Sequence, residues 1–140
     1  MNRALGIDLG EARIGLAMSD ELGMLAHPLE TIHLKEVKDP IGLIASIVQR
    51  DKITLIVLGL PRNMDGSYGP AAEKSRTFAD RLRARTACEV RLWDERLTSV
   101  AAQRALHDAG RNVRQSRAVI DQVAAQLILQ GYLDSQAMLD

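Results

Sequence analysis

The arrangement of hydrophobic and polar positions along the chain predicts a protein that mixes strands and helices. Apolar runs near the start are short and are separated by glycine and charged turn formers, a pattern typical of strands joined by tight turns. Further on, apolar residues recur at helical spacing between runs rich in valine, isoleucine and leucine. The predicted strands span residues 3–9, 13–18, 24–32, 53–59 and 88–93, and the predicted helices span 38–50, 70–84, 99–108 and 116–134.

The order of these elements predicts an α/β fold built on one mixed five-stranded sheet. The first three strands are joined by short turns, so we expect them to pair in antiparallel fashion. The last two strands each follow a helix, and such units give parallel neighbours through right-handed crossovers. We expect helices on both faces of the sheet, a single domain over residues 1–140, and ligands gathered at the strand ends.

Charge is balanced overall but uneven along the chain. The formal net charge is zero, which argues against a protein that coats nucleic acid by charge alone. Residues 62–117, however, hold twelve Lys or Arg against seven Asp or Glu. Fourteen of the eighteen basic residues are Arg, whose planar fork suits phosphate. This surplus fits either a phosphate-binding surface or solvated helix faces.

Cysteine content and the start of the chain bear on location. The single cysteine offers no disulfide framework, which fits a reducing cytoplasm. Asp8 interrupts the apolar start, which therefore does not match a signal peptide. No apolar run approaches the length of a membrane-spanning helix. We therefore expect a cytoplasmic protein that does not bind a membrane.

Three carboxylates are the candidates for chemistry, namely Asp8, Glu95 and Asp121. Asp8 lies inside a predicted buried strand, where a charge is costly unless it is paired or coordinates an ion. Asp94 and Glu95 leave the fifth strand side by side, so alternation sends them to opposite faces and only one can reach a shared pocket. If the fold brings three carboxylates together, their oxygens suit Mg²⁺ or Mn²⁺.

Each of these residues also has a purely structural interpretation. Backbone donors in a bend would satisfy Asp8 without any ion. Asp121 would be an exposed residue paired with Arg117 one turn earlier on the last helix. The residues alone leave these alternatives open.

The segment LPRNMDGSYGP is long for a connection between a strand and a helix, and long loops are often functional. Arg62, Asn63 and nearby backbone amides are candidates to hold a phosphate. The alternative is a plain connection, because asparagine, aspartate and glycine are common turn formers. Arg96 and the basic stretch at 111–117 are further candidates for contacts to phosphate.

Four motifs occur in order along the chain: GIDLGEARIGLAMSD, GLPRNMDGSYGP, DERLTS and IDQVAAQLILQGYLD. Together they resemble the YqgF/RuvX family, which belongs to the RNase H-like superfamily and is related to RuvC-type Holliday junction resolvases. The resemblance covers essentially the whole chain. It implies an RNase H-like fold and a cytoplasmic, metal-dependent nuclease that matures the 5′ end of 16S rRNA from its precursor.

The resemblance also assigns roles to residues. It places Asp8, Glu95 and Asp121 at the family's three acidic positions, as catalytic residues and as ligands of Mg²⁺ or Mn²⁺, and so favours Glu95 over Asp94. The implied reaction is hydrolysis of a phosphodiester bond, and the residues expected to position the substrate are Arg62, Asn63, Arg96, Arg114 and Arg117. Two features depart from the expected pattern: RQSRAVID carries arginine where a lysine is expected, and three carboxylates stand where relatives commonly use four. The number of metal ions therefore stays open.

Other functions remain as alternatives. An older attribution within the family is resolution of Holliday junctions, so structured RNA and branched DNA are both candidate substrates, and a two-fold junction would favour a homodimer. The neutral charge and the missing fourth carboxylate also fit a catalytically weak RNA-binding assembly factor. Finally, GIDLG resembles the phosphate motif of sugar kinases and actin-like ATPases, although those proteins need two such domains facing each other.

Overall fold

A computed structural model of the chain describes residues 3–63, 65–97 and 113–137, with side chains described from residue 121 onward in the last range. The strands are β1 (Arg3–Leu9), β2 (Arg13–Ser19), β3 (Ala26–His33), β4 (Ile53–Leu60) and β5 (Glu89–Asp94). The helices are α1 (Pro40–Arg50), α2 (Pro70–Thr86) and α3 (Val113–Ala137). A short 3-10 helix, Glu95–Leu97, follows β5 directly.

The strands form one sheet in the order β3-β2-β1-β4-β5. β2 is antiparallel to both β1 and β3, whereas β4 is parallel to β1 and β5 is parallel to β4. The predicted α/β class and the mixed five-stranded sheet are therefore confirmed. Because β1 is the central strand, the side chains at its carboxyl end have neighbours on both sides, as expected for a ligand site in such a sheet.

Helices α1 and α2 cover one face of the sheet. Leu5 and Ile7 of β1 belong to the buried cluster on this face, together with Ile44 of α1 and Leu82 of α2. Helix α1 starts sharply because the Asp39 carboxylate accepts the Gly42 backbone N–H at 3.0 Å. Each fully buried aliphatic side chain of this kind contributes about 2 kcal/mol of transfer free energy. The packing of this face holds β1 rigidly in the middle of the sheet.

Helix α3 covers the opposite face. Ala124 and Ala125 are buried against the sheet, as their small size predicts, and Ile128 and Leu129 fill the space beside them. Alternation along β1 sends its even-numbered residues, including Asp8, to this face. The two faces of the sheet therefore differ, because the face under α3 carries both an apolar core and the candidate polar site.

Several boundaries differ from those predicted. β3 begins at Ala26 rather than at residue 24, because the Asp20 carboxylate accepts the N–H groups of Met24 at 2.9 Å and Leu25 at 3.3 Å and holds both in the turn. α2 continues to Thr86 and ends at Ala87, which adopts a φ of 59°. α3 begins at Val113 rather than at residue 116.

Some predictions fall on residues outside the described ranges. The predicted helix at 99–108 is among them. The prediction of a single domain over residues 1–140 likewise stays a prediction. Within the described ranges, no helix combines the length and the apolar character that crossing a membrane requires.

Candidate active site

Asp8 lies near the carboxyl end of the central strand and is almost fully buried, with 3% of its surface exposed. On one side it pairs with Gly15 of β2. On the other side Ile7 pairs with Leu58 of β4, so the next step in this parallel register brings Asp8 beside Gly59. Both neighbours of Asp8 across the sheet are therefore glycines. Neither neighbour has a side chain, so atoms of other segments can approach the sheet closely beside the carboxylate on the face that α3 covers.

Asp121 of α3 lies directly over Gly15. A β-carbon built on Gly15 would stand 2.0 Å from the Asp121 carbonyl oxygen and 3.0 Å from the Asp121 β-carbon. Only a glycine permits this approach of the helix to the strand. Because Gly15 is the cross-strand partner of Asp8, the approach brings the Asp121 and Asp8 carboxylates over neighbouring strands.

Glu95 lies over Gly59 on the other side of Asp8. A β-carbon built on Gly59 would stand 2.8 Å from the Glu95 carboxylate oxygen Oε1 and 2.6 Å from Cδ1 of Ile128 on α3. The contact with Ile128 shows that this oxygen is on the α3 face of the sheet. The three candidate carboxylates therefore share one face and stand over three adjacent strands, which lie about 5 Å apart.

Asp94 takes the opposite direction from Glu95. It is the last residue of β5 and accepts hydrogen bonds from Arg96 Nη2 at 2.9 Å and from Arg62 Nη1 at 3.1 Å. The hydrogen bonds from the Arg96 side chain, the Arg96 backbone N–H and Arg62 lower the pKa of Asp94 to about 2, against the opposing effect of burial. Asp94 is thus a structural counter-ion for two arginines.

Arg13 is a residue of this site that the sequence analysis did not single out. Its Nε donates to Asp121 Oδ2 at 2.7 Å, across 108 positions of sequence. The alternative of an exposed Asp121 is wrong, because this carboxylate is buried. Arg13 opens β2, two residues before Gly15, so alternation places it on the same face as Gly15. The sequence offered one signal for Arg13, namely its position on a predicted strand next to the strand of Asp8.

The loop between β4 and α2 follows the carboxyl end of β4 and contains Arg62 and Asn63. Arg62 Nε donates to the Gly66 carbonyl at 3.0 Å, and Asn63 Nδ2 donates to Ser67 Oγ at 3.0 Å. Both predicted substrate residues therefore also shape their own loop. The exposed parts of these side chains face solvent at the end of the strand next to β1.

Two arginines contact the ring of Tyr68 in the same loop. The guanidinium carbon of Arg62 lies 4.4 Å from the ring centroid, and that of Arg76 on α2 lies 4.3 Å from it. Such cation–π contacts orient cationic side chains while leaving their charge in place. Arg96 also belongs to this group, which we call the arginine cluster: Arg62, Arg76 and Arg96 around Tyr68 and Asp94. The predicted contacts of Arg114 and Arg117 lie outside the described side chains.

The carboxylates suit a divalent cation in their chemistry. Carboxylate oxygens are the preferred ligands of Mg²⁺ and Mn²⁺, and the two glycines let Asp121 and Glu95 come close to the sheet on either side of Asp8. Among the described residues, no group of three or more His, Cys, Asp or Glu side chains stands ready to hold a metal ion. One oxygen of Asp121 is bound by Arg13 instead. The donors fit such an ion, but the side chains share a face without forming a closed ligand shell.

Trp93 gives the site a built-in spectroscopic probe. It is the single tryptophan of the chain, and it pairs with Gly59 across β4 and β5. Its ring meets that of Tyr132 edge-on, with 6.0 Å between centroids. Its buried indole N–H has no hydrogen-bond partner among the described residues. A change in charge near Glu95 should therefore alter its fluorescence.

Comparison with known proteins gives consistent results. A family model described as "RuvX: Holliday junction resolvase" matches residues 2–135. A protein of Halalkalibacterium halodurans, named "Putative pre-16S rRNA nuclease", is 48% identical over 97% of this chain and 99% of its own length. A protein of Myxococcus xanthus with the same name is 49% identical over 95% of this chain and 88% of its own length.

Solved structures share the fold at low sequence identity. RuvC of Thermus thermophilus in complex with a Holliday junction superposes with a TM-score of 0.62 at 12% identity, covering 97% of both chains. The Holliday junction resolvase of fowlpox virus superposes with a TM-score of 0.53 at 11% identity, covering 95% of this chain and 99% of its own. These likenesses confirm the predicted RNase H-like architecture of the sheet and helices.

Proposed function

Because this chain belongs to the RuvX family of Holliday junction resolvases, and is a nuclease by that membership, we propose that its activity depends on Mg²⁺ or Mn²⁺ and that it processes the 5′ end of pre-16S rRNA. The relatives that carry the name of pre-16S rRNA nuclease support the choice of RNA substrate. The match over most of the chain favours a nuclease over the sugar-kinase alternative.

One observation carries the proposal: Asp8, Glu95 and Asp121 stand over three adjacent strands on one face of the sheet. Asp8 and Asp121 are buried, and a buried carboxylate is costly unless a cation or hydrogen-bond donors compensate its charge. The site is placed where ligands of such sheets gather, at the carboxyl end of the central strand.

In the proposed mechanism, Asp8, Glu95 and Asp121 would hold the divalent ion. When bound, the ion supplies Lewis-acid chemistry that activates the attacking water and stabilises charge developing on the phosphodiester. Asp8 is fixed by the sheet, and Glu95 and Asp121 are positioned by close contacts over Gly59 and Gly15. The three carboxylates therefore start from one face of the sheet, and rotation of their side chains would close them around the ion.

Binding of the nucleic-acid backbone is assigned to arginines. Arg96 keeps 41% of its side chain exposed and Arg62 keeps 23%, so both can meet a phosphate while they stay near Asp94. Arg76 adds a third charge on the far side of Tyr68. Guanidinium groups suit this role because their forked donors match phosphate oxygens. Arg114 and Arg117 complete the proposed substrate-binding set, with Asn63 supporting the loop that presents Arg62.

We further propose a cytoplasmic location and a homodimer on substrates with two-fold symmetry. A second candidate function is cleavage of branched DNA, and the description of the matching family favours it. The two functions differ in substrate but use the same carboxylates. The remaining alternative is a catalytically weak RNA-binding assembly factor, which predicts that no cleavage product forms when a metal ion is added.

Parallel cleavage assays decide among these functions. The purified protein would be incubated with a labelled 16S rRNA precursor leader and with a four-way DNA junction, each with Mg²⁺, with Mn²⁺ and with excess chelator. We expect metal-dependent cleavage of the RNA leader at defined positions. Cleavage of the four-way junction but not of the RNA leader would favour branched DNA as the substrate. Binding of RNA without any product would favour the assembly factor.

A further inference from the structure

We propose that Arg13 is an internal counter-ion of the carboxylate site, and that its guanidinium competes with a divalent metal ion for Asp121. Arg13 Nε donates to Asp121 Oδ2 at 2.7 Å, with 25% and 12% of the two side chains exposed. This inference rests on the proposed function, because the competing ion is the one assigned to that reaction. It concerns the state of the site before the ion arrives.

The pair is fixed by the backbone on both sides. The main chain of Asp121 is held against Gly15, so the helix cannot carry this carboxylate away from the sheet. Arg13 lies two residues from Gly15 on the same face of β2, within reach of Asp121. With the backbone held in this way, rotation of the two side chains is the simplest way to break the contact.

The charges explain why a cation belongs there. Asp8 pairs with Gly15, so Asp8 and Asp121 bring like charges over neighbouring strands in a buried setting. Arg13 offsets that repulsion while no metal ion is bound. A divalent ion at the same carboxylates would offset it more strongly, and it would then repel the guanidinium beside it. The two cations therefore exclude each other, at least in part, and Arg13 weakens the binding of the metal ion.

A different role for Arg13 makes the opposite prediction. An arginine that holds one oxygen of a metal ligand can also orient that ligand for the ion, and removing such a support typically weakens metal binding about tenfold or more. Competition predicts tighter binding after removal of Arg13, whereas orientation predicts weaker binding. The sign of the change in affinity thus separates the two.

The test uses Arg13→Gln, with Arg13→Lys as a charge-preserving variant. The control is Arg3→Gln, because Arg3 is about as exposed as Arg13 and makes an ion pair with Glu21 at 2.9 Å, away from the carboxylate site, although Glu21 itself is exposed. Mn²⁺ would be titrated into each full-length protein by calorimetry, and Trp93 fluorescence would be followed in parallel. Melting temperatures would be recorded with chelator and with saturating Mn²⁺.

We expect Arg13→Gln to melt at a lower temperature than wild type in chelator, because it leaves Asp121 buried without its partner. We expect it to bind Mn²⁺ about tenfold more tightly and to gain more in melting temperature when the ion is added. Arg13→Lys should bind Mn²⁺ about as wild type does, and Arg3→Gln should match wild type in both measurements.

Equal or weaker Mn²⁺ binding by Arg13→Gln would overturn the inference. If the wild type still cleaves nucleic acid in a metal-dependent way, the proposed function survives that outcome. If calorimetry detects no Mn²⁺ binding to any of the proteins, both the inference and the metal dependence fall together. If Arg13→Gln folds poorly, Arg13→Lys decides the question. Markedly tighter Mn²⁺ binding by Arg13→Lys, which keeps the charge, would contradict competition between the two cations.

Discussion

Gly15 and Asp121 are in closer contact than any residue with a side chain at position 15 would allow. A β-carbon there would stand 2.0 Å from the Asp121 carbonyl oxygen and 2.4 Å from its carbonyl carbon. The obstacle is backbone within a long helix, which cannot yield locally. The position of α3 on the sheet, and hence of the Asp121 carboxylate, therefore depends on this glycine.

Gly15→Ala should destabilise the protein by about 3 kcal/mol, because overpacking against backbone forces the helix to shift. Urea unfolding followed by circular dichroism measures this change. Gly69→Ala is a matched control, since its β-carbon would lie 3.6 Å from the nearest side-chain atom, at ordinary contact distance. The free energy of unfolding should fall by less than half as much in Gly69→Ala as in Gly15→Ala. Equal losses in the two variants would refute the assigned role of Gly15.

Gly59→Ala should behave differently, because its β-carbon would meet movable side-chain atoms of Glu95 and Ile128. We expect a loss of about 1 kcal/mol in stability but at least about a tenfold fall in kcat/KM, since Glu95 is pushed out of position. Urea unfolding and initial rates of cleavage measure the two quantities. A folded Gly59→Ala protein with wild-type rates would show that Glu95 needs no such placement.

Asp94→Asn should destabilise the protein in a manner that depends on pH. The native pKa of Asp94 is about 2, below its ordinary value of 3.8, so the native state binds this proton less readily than the unfolded state. The stabilisation by Asp94 is therefore complete above pH 3.8 and is lost as pH falls through 2. Urea unfolding should show a gap between the two proteins of about 1–2 kcal/mol near neutral pH.

That gap should narrow to about half near pH 3, since Asp94 is then mostly protonated in the unfolded state but still mostly ionised in the native state. Asp80→Asn serves as a control, because Asp80 makes an exposed ion pair with Arg83 on α2. Its effect should be small at every pH. A gap for Asp94→Asn that stays constant between neutral pH and pH 3 would contradict the assigned ion pairs.

Arg96→Gln should weaken binding of nucleic acid, because the arginine cluster is assigned to the phosphate backbone. We expect a several-fold loss of affinity for RNA and DNA alike, with the slope of log affinity against log salt reduced by about 1. Fluorescence anisotropy in chelator, at several salt concentrations, measures both. Arg91→Gln is the control, since Arg91 is similarly exposed and likewise ion-paired, with Glu89, but lies outside the arginine cluster. An unchanged salt slope for Arg96→Gln would remove Arg96 from the interface.

Much of the fold was predictable because it depends on local patterns. The continuous apolar run of β4 and the short turns of β1–β3 gave the correct sheet, and Pro70 marked the start of α2 as expected. The start of β3 was placed wrongly because a single side chain, Asp20, decides it. Propensity and periodicity do not register such a hydrogen bond from a side chain to the backbone.

The site was predictable only in part. Strand alternation predicted different directions for Asp94 and Glu95, and in the structure Asp94 binds Arg62 and Arg96 whereas Glu95, in the 3-10 helix, lies over Gly59. A charge inside a buried strand drew attention to Asp8. The contact between Arg13 and Asp121 could not be foreseen, since it joins segments 108 residues apart and follows from the packing of α3 on β2. The expected partner of Asp121 was Arg117, which lies near it in sequence. Tertiary packing, rather than helical spacing, selects the partner.

The most direct test of the central claim is the rate of metal-dependent cleavage by Asp8→Asn, compared with Asp80→Asn and wild type. The substitution at Asp8 preserves shape and removes the charge at the middle of the three carboxylates, whereas Asp80 is exposed on α2. With all three proteins shown to be folded by circular dichroism, we expect Asp8→Asn to lose at least about a hundredfold in rate. Asp80→Asn should cleave as wild type does. A folded Asp8→Asn protein that cleaves at the wild-type rate would contradict the account.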